Sequence, residues 1–346
     1  ALNGNFVTMK EYSTEGGPNC KPRLAGRSLS MKVVVTRKLP FDVREYFSDV
    51  DLFYHESDEP IPRDVLEREV ADADGLVPLL ADPVDRSLIE AAPKLRVIGN
   101  YAVGYNNVDL DAARERDIRV CNTPHVLTEG TAELGFALVM AVARRIPDAD
   151  RFTRSTGYVA WTPTLYLGKE LAGTTIGIFG MGRIGQALAK RARGFDMRVV
   201  YTKRRRDEHA ELMLPAEYVT FDEMLETADV IVVTAPLTEE TRHRFTLDAF
   251  RRMKKDAIFV NIGRGPIVKE DDLVTALTEG ELFGAGIDVY EFEPEITTEL
   301  LSLDNVVVLP HIGSATFHAR REMARLACSA VRGVLIDNVT PANTVV

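Results

Sequence analysis

Three short segments of the chain carry residues that can hold an anion and move a proton. They are Asn261-Ile262-Gly263-Arg264-Gly265, Gly286-Ile287-Asp288-Val289-Tyr290-Glu291-Phe292-Glu293-Pro294, and Pro310-His311-Ile312-Gly313-Ser314-Ala315-Thr316. Each closes or follows a short apolar run of the kind that builds a buried strand, at residues 257–261, 284–288 and 306–309. Singly, each could be an ordinary loop. An arginine, a glutamate and a histidine after three successive strands form a candidate site together, because open α/β sheets bind their ligands at the carboxyl ends of strands.

A fourth segment, Gly180-Met181-Gly182-Arg183-Ile184-Gly185, lies between an apolar run at 175–179 and a helical pattern at 183–193. In that strand–turn–helix setting the glycine spacing signals a dinucleotide site. Gly180 can make the tight turn, Gly182 keeps side chains off a pyrophosphate, and Gly185 lets the helix pack close to the strand. The helix N-terminus adds free N–H groups and the positive end of its dipole. All six residues of the turn enter the expected cofactor set.

Cofactor choice is read at the end of the next strand. NAD enzymes commonly place an acidic residue there for the ribose hydroxyls. Here Thr202 is followed by Lys203, Arg204, Arg205 and Arg206. Guanidinium groups attract a 2′-phosphate and can bind it bidentately, whereas a carboxylate repels it. Thr202, Lys203, Arg204 and Arg205 therefore join the cofactor set, and the pattern predicts NADPH over NADH, with NADH still possible. The alternative is a basic loop that is simply solvated.

Positioning these segments requires sheets. From Met31 onward, apolar runs at 32–36, 51–54, 75–80, 95–101 and 118–122 alternate with helical patterns at 62–73, 85–92 and 109–116. A further helical stretch is expected after the polar loop at 37–40. Near-continuous apolar strands between amphipathic helices indicate a parallel sheet covered on both faces. A long helix at 129–145 should bridge to a second series with strands at 175–179, 198–202, 230–234, 257–261, 284–288 and 306–309, and a last helix at 318–337. The expected class is α/β, with two Rossmann-like or flavodoxin-like parallel-sheet domains and a cleft between them.

The bulk properties agree. At 346 residues, 45% hydrophobic and 27% charged, the chain has room for about two domains and the composition of an ordinary globular protein. Its net charge of −10 makes nucleic acid an unexpected partner. Cys20, Cys121 and Cys328 share no close spacing, which argues against a zinc site or disulfide framework and for a reducing compartment. With no run long enough for a membrane span and no secretory pattern, a cytoplasmic location and no membrane partner are expected. Residues 1–30, rich in Gly, Asn, Ser and Pro, read as a weakly packing extension or a remnant of expression, with the native fold starting near Met31.

The glycine turn, the Asn-x-x-Arg-Gly turn, the Asp-Val-x-x-x-Glu-Pro stretch and the following His resemble the D-isomer-specific 2-hydroxyacid dehydrogenase family over about residues 31–346. The offsets of 29 between Arg264 and Glu293 and 18 between Glu293 and His311 are similar to its glyoxylate/hydroxypyruvate reductase branch. So are Gly185-Gln186-Ala187, Arg191-Ala192-Arg193-Gly194-Phe195 and His311-Ile312-Gly313-Ser314-Ala315-Thr316. The resemblance implies a discontinuous substrate domain, 31–127 plus 316–346, around a Rossmann domain at 128–315, and a homodimer through the long helix and the arm around Trp161.

It also implies roles. A 2-oxo acid has a carboxylate beside a ketone. Arg264 can hold the one and polarise the other. His311 can give a proton to the ketone oxygen as hydride arrives, and take it back in the reverse direction. Glu293 can bind the other imidazole nitrogen, fixing the tautomer and favouring the protonated ring. No metal is required. In Tyr101-Ala102-Val103-Gly104-Tyr105-Asn106-Asn107-Val108-Asp109, the backbone N–H groups of Val103 and Gly104 are implied to receive the substrate carboxylate, the bare Gly104 allowing close approach. Leu80 aligns with a pocket wall, though by composition it is a core leucine. Thr128, Ile262, Gly263, Asp288 and Gly313 are implied cofactor contacts, beside Arg264 and His311. Gly130 stands where the commoner form has Ala, so this helix start should be looser. Trp161 is implied to reach the partner subunit's active site or, alternatively, to pack at the interface. Asp109 should cap a helix. His125, His209, His243 and His318 read as structural or surface residues.

The expected reaction is NADPH-linked reduction of glyoxylate or hydroxypyruvate. A D-lactate or phosphite dehydrogenase on the same machinery, or a nucleotide-sensing corepressor-like binding protein, are the alternatives. The basic run disfavours an NAD-specific D-lactate enzyme, and the intact Arg264, Glu293 and His311 set disfavours the corepressor.

Overall fold

The computed structural model describes residues 31–346; the expectations for residues 1–30 and Cys20 lie outside them. The first apolar runs form strands β1 (Lys32–Val35), β2 (Asp51–Tyr54), β3 (Gly75–Val77), β4 (Val97–Gly99) and β5 (Arg119–Cys121). They pair in parallel in the order β2-β1-β3-β4-β5. Helices α1 (Arg63–Val70), α2 (Arg86–Glu90) and α3 (Leu110–Glu115) lie between them. Two of these helices start on carboxylate caps: Asp85 accepts from Leu88 N, and Asp109 accepts from Ala112 N at 2.8 Å.

Helices α4 (Thr128–Ala143) and α5 (Ile146–Arg154) follow. The second sheet contains β6 (Thr175–Phe179), β7 (Arg198–Thr202), β8 (Ala216–Tyr218), β9 (Val230–Val233), β10 (Ile258–Asn261), β11 (Gly284–Ile287) and β12 (Val306–Val308). Its order is β12-β11-β10-β9-β6-β7-β8, again all parallel. Helices α6 (Arg183–Arg193), α7 (Glu208–Met213), α8 (Phe221–Thr227), α9 (Leu247–Arg252) and α10 (Glu270–Thr278) connect it, and α11 (Phe317–Leu335) ends the regular structure. The expected class of two parallel-sheet α/β domains holds, the second being Rossmann-type in strand order.

The cores explain which helix serves which sheet. Ala327, Cys328 and Val331 of α11 pack with Val33, Val35, Val77 and Val97, so the last helix returns to the first sheet. Phe136, Leu138 and Val142 of α4 pack with Ile176, Ile178, Leu188, Ile258 and Val260 of the second. Strand order reverses between β1 and β3 in one sheet and between β6 and β9 in the other, and both reversals leave a crevice at the carboxyl edge.

Several boundaries differ from expectation. The strand read over 75–80 ends at Val77, because Pro78 has no N–H for a ladder; a single bridge from Leu79 to Tyr101 carries the pairing on. The strand read over 95–101 is only Val97–Gly99. The stretch after residues 37–40 forms a short 3-10 turn, Val43–Glu45, rather than a helix. The helix read over 129–145 ends at Ala143: Arg145 is left-handed at φ 51°, and Pro147 sits in the first turn of α5, where its missing N–H costs nothing. The edge strand β8 was not foreseen; at three residues it carries too little pattern to read.

Candidate active site

The turn after β6 is built around close contacts. Gly180 has φ 108°, a conformation that side chains rarely adopt, and its N–H donates to Thr202 O at 2.9 Å. The hydroxyl of Thr234 donates to Gly180 O. A Cβ on Gly185 would run into that same carbonyl, so the helix can approach the turn only because residue 185 is bare. A Cβ on Gly182 would meet nothing within 4 Å. The turn thus has open space at Gly182, which is the N-cap of α6 and leaves the helix start without a side-chain cap. This cradle fits a pyrophosphate. Met181 is fully buried, backbone included, and packs into the core of the second sheet, while Arg183 is exposed and Ile184 half-buried.

At the end of β7, Thr202 is buried and uses its carbonyl to hold Gly180. The basic residues after it are not equivalent. Lys203 Nζ is paired with Asp207 at 2.9 Å, and Arg206 forks onto Glu211. Arg204 and Arg205 are exposed, and among the described residues no salt bridge engages either. These two are free to bind an anion.

Arg264 follows β10 in a turn that Asn261 ties together. The Asn261 side chain accepts from Gly263 N at 3.0 Å and donates to Arg264 O at 3.0 Å. The Arg264 guanidinium crosses to the other lobe. Its Nε donates to Asn106 Oδ1 at 3.1 Å, and its Nη1 donates to Gly263 O at 2.8 Å. Nη2 is the atom closest to where a Gly104 side chain would begin, so the uncommitted edge of the guanidinium lies against Gly104. Burial presses this group below its ordinary value and the charge of Glu293 opposes the shift; an arginine starts so high that it stays charged. The loop itself is fixed by amides: Asn100 Nδ2 donates to Gly104 O at 2.9 Å, and Asn122 Nδ2 donates to Val103 O at 2.8 Å.

His311 follows β12 in a left-handed conformation, φ 54°, that turns its ring toward the loop after β11. Its Nδ1 lies 2.9 Å from Glu293 Oε2. Glu293 Oε1 accepts from Tyr290 N at 3.0 Å. Burial works upward on the Glu293 carboxyl, but the hydrogen bond and charge of His311, with the Tyr290 N–H and Arg264, outweigh it and hold the group below its ordinary value. Asp288 is buried and accepts from Ile312 N at 2.7 Å and Gly313 N at 2.8 Å. Burial raises its carboxyl, opposed by those N–H groups and by His311. Asp288 therefore shapes the turn that carries His311, whatever else it touches.

Among the remaining residues, Thr128 opens α4 half-buried, with its N–H on His125 O. A Cβ on Gly130 would stand 3.1 Å from Thr316 Cγ2, so the smaller residue lets the start of α4 sit close to the cap of α11. Ile262 is buried, as is Gly263 against Ala235 O; a Cβ on Gly313 would lie 3.2 Å from Asp288. Leu80 is half-buried in the turn after Leu79. Trp161 is 78% exposed in the irregular stretch after α5. The sequence reading missed Asn106 as the partner of Arg264, and Asn100, Asn107 and Asn122 as the loop's fasteners. The only hint was three asparagines in or beside one quoted segment.

The model of the D-isomer specific 2-hydroxyacid dehydrogenase NAD binding domain matches residues 136–313. The chain is 46% identical over 300 residues to the glyoxylate reductase of Pyrococcus horikoshii, an alignment spanning 85% of this chain and 90% of that one. It is 48% identical over 302 residues to the glyoxylate reductase of Thermococcus litoralis, spanning 85% and 91%. The crystal structure of the TT0316 protein from Thermus thermophilus superposes with a TM-score of 0.86 at 42% identity, covering 91% of this chain and all of that one. An NADPH-dependent glyoxylate/hydroxypyruvate reductase from Sinorhizobium meliloti, solved with NADP and malonate, gives 0.79 at 31% identity over 91% and 97%. Nearly half of the aligned residues are shared with the two glyoxylate reductases, and the cofactor-domain model spans more than half of the chain. The chain belongs to the D-isomer specific 2-hydroxyacid dehydrogenase family, on its glyoxylate reductase branch.

Proposed function

We propose that the chain reduces small 2-oxo acids, glyoxylate and hydroxypyruvate, to 2-hydroxy acids, with NADPH as the preferred hydride donor. The observation that carries this reading is the 2.9 Å contact of His311 Nδ1 with Glu293. It commits one imidazole nitrogen to a carboxylate and leaves Nε2 to give a proton to a ketone oxygen. Arg264 takes the substrate carboxylate on its Nη2 edge, with the N–H groups of Val103 and Gly104 on the other side, and Leu80 walls the pocket. The glycine turn, with Thr128, Ile262, Gly263, Asp288 and Gly313, holds the dinucleotide. A reduced nicotinamide dinucleotide bound there supplies the hydride.

The unpaired Arg204 and Arg205 support the choice of NADPH. The domain boundaries follow from the same reading: substrate lobe 31–127 plus 316–346, cofactor lobe 128–315, closing on the substrate to exclude water. The active form is a homodimer. Tyr158, Val159, Trp161 and Leu167 support this, since all are more than half exposed in one irregular arm, an apolar patch of the kind that marks an interface. The test is steady-state oxidation of NADPH and NADH with glyoxylate, hydroxypyruvate, pyruvate and buffer alone. Turnover highest with NADPH and either of the first two is expected. No turnover on any 2-oxo acid overturns the reading.

A further inference from the structure

The two strand-end segments that wall the proposed substrate pocket, the Leu79–Leu80 turn and the Val103–Gly104 loop, are joined by the side chain of Asn107, beside backbone bonds at the loop's two ends, where Tyr101 N donates to Pro78 O at 2.9 Å and Val84 N donates to Asn107 O at 2.8 Å. Asn107 Nδ2 donates to Leu79 O at 3.1 Å and lies 3.3 Å from Asp82 O, both in the turn after β3. The same amide group donates to Asn100 Oδ1 at 3.0 Å and accepts from Asn100 Nδ2 at 3.1 Å through its own oxygen. Asn100 is fully buried and also donates to Gly104 O at 2.9 Å. A continuous path of hydrogen bonds therefore runs from one wall of the pocket, through Asn107 and Asn100, to the carbonyl of the residue against which Arg264 lies.

The turn is braced from behind as well. The Asp82 carboxylate accepts from Leu79 N at 2.8 Å and from Thr36 Oγ1 at 2.5 Å, and Arg37 Nη2 stands 3.6 Å from it. With the turn pinned to β1 on its far side and the loop tied to it by backbone at Tyr101 and at Asn107–Asp109, the Asn107 side chain braces the part of the loop between those ends, reaching Gly104 through Asn100. We propose that Asn107 is a positioning residue that fixes the width of the substrate pocket, and so the preference for small 2-oxo acids. The inference rests on the reading above, that Leu80 and Val103–Gly104 face the substrate.

Asparagine is suited to this because it offers donors to the turn's carbonyls and an acceptor to Asn100 on one short, planar group. An aspartate of the same shape keeps the acceptor but sets a carboxylate against two carbonyl oxygens. That repulsion separates turn from loop. A wider gap leaves glyoxylate loosely held and admits a longer chain beside the ketone. Misplacement by about an ångström costs on the order of a hundredfold in rate.

The test measures kcat/KM of the full-length protein with glyoxylate and with 2-oxobutyrate, and the Kd for NADPH, in wild type, Asn107→Asp and Asn107→Ala. The alanine variant breaks the bridge without adding charge and stands in if the aspartate variant does not fold. The glyoxylate-to-2-oxobutyrate ratio should fall at least about fivefold in either variant, with glyoxylate kcat/KM down by about 10- to 100-fold and the NADPH Kd within about twofold of wild type. An unchanged ratio, or an NADPH affinity that falls in step with activity, overturns the proposal, because either marks Asn107 as a general structural residue. Failure of the underlying reading would be visible separately, as a wild type that turns over neither acid.

Discussion

Placing a methyl group on residue 104 disturbs Arg264 without changing the arginine itself. In Gly104→Ala the new Cβ would stand 2.9 Å from Arg264 Cζ and closer still to Nη2, whereas ordinary contact begins near 3.4 Å. Either the loop or the guanidinium must withdraw. The loop is held through its carbonyls by Asn100 and Asn122, so the guanidinium moves, its carbon by at least about half an ångström and Nη2 by more. That displacement strains the bonds from Nε to Asn106 and from Nη1 to Gly263. It also turns the free edge away from where a substrate carboxylate would lie. A shift of this size should lower kcat/KM for glyoxylate by on the order of a hundredfold, equivalent to about 2.7 kcal/mol. The glycine turn and the basic residues after β7 are untouched, so the Kd for NADPH should stay within about twofold. Steady-state kinetics together with cofactor titration measure both. A kcat/KM within threefold of wild type would refute the placement of Arg264 against the substrate loop.

Further outcomes follow from the same geometry. His311→Ala should lower kcat by about a hundredfold or more through loss of the proton donor, with little change in NADPH affinity; wild-type kcat would remove His311 from that role. Arg204→Asp should raise the KM for NADPH far more than the KM for NADH, and equal effects on both cofactors would show that the basic loop is merely solvated. The depressed Glu293 carboxyl gives a signed pH dependence. Its contribution to stability is complete above the ordinary carboxylate value of about 4.3 and fades as pH falls through the lower folded value. On acidification the Tm difference between wild type and Glu293→Gln should therefore persist and shrink only below about pH 4; a difference already lost as pH falls to 6 would contradict it.

The sequence made the chemistry-bearing strand ends legible because their residue types are costly to place by chance. A glycine triplet between an apolar run and a helical pattern, and Arg, Glu and His after later apolar runs, each carry a physical reason. Parallel sheets were readable for a similar reason: Val- and Ile-rich runs such as Val230–Val233 and Val33–Val35 are buried on both faces. What stayed hidden was the meeting of polar side chains distant in sequence. Asn106 and Arg264 are 158 residues apart, and nothing local in either marks the other. Likewise, four consecutive basic residues look alike in the sequence, yet Asp207 engages Lys203 and Glu211 engages Arg206, leaving only Arg204 and Arg205 unpaired. The break between α4 and α5 was signalled by Pro147, but the apolar spacing before it made the first helix read two residues too long.

The most direct measurement follows the hydride itself. Glyoxylate is incubated with the enzyme and NADPH carrying deuterium at both C4 positions, and the glycolate formed is weighed by mass spectrometry. One carbon-bound deuterium per glycolate, formed at a rate that collapses in His311→Ala, is the predicted result. Glycolate without deuterium, or no glycolate while NADPH binds normally, would contradict the central claim.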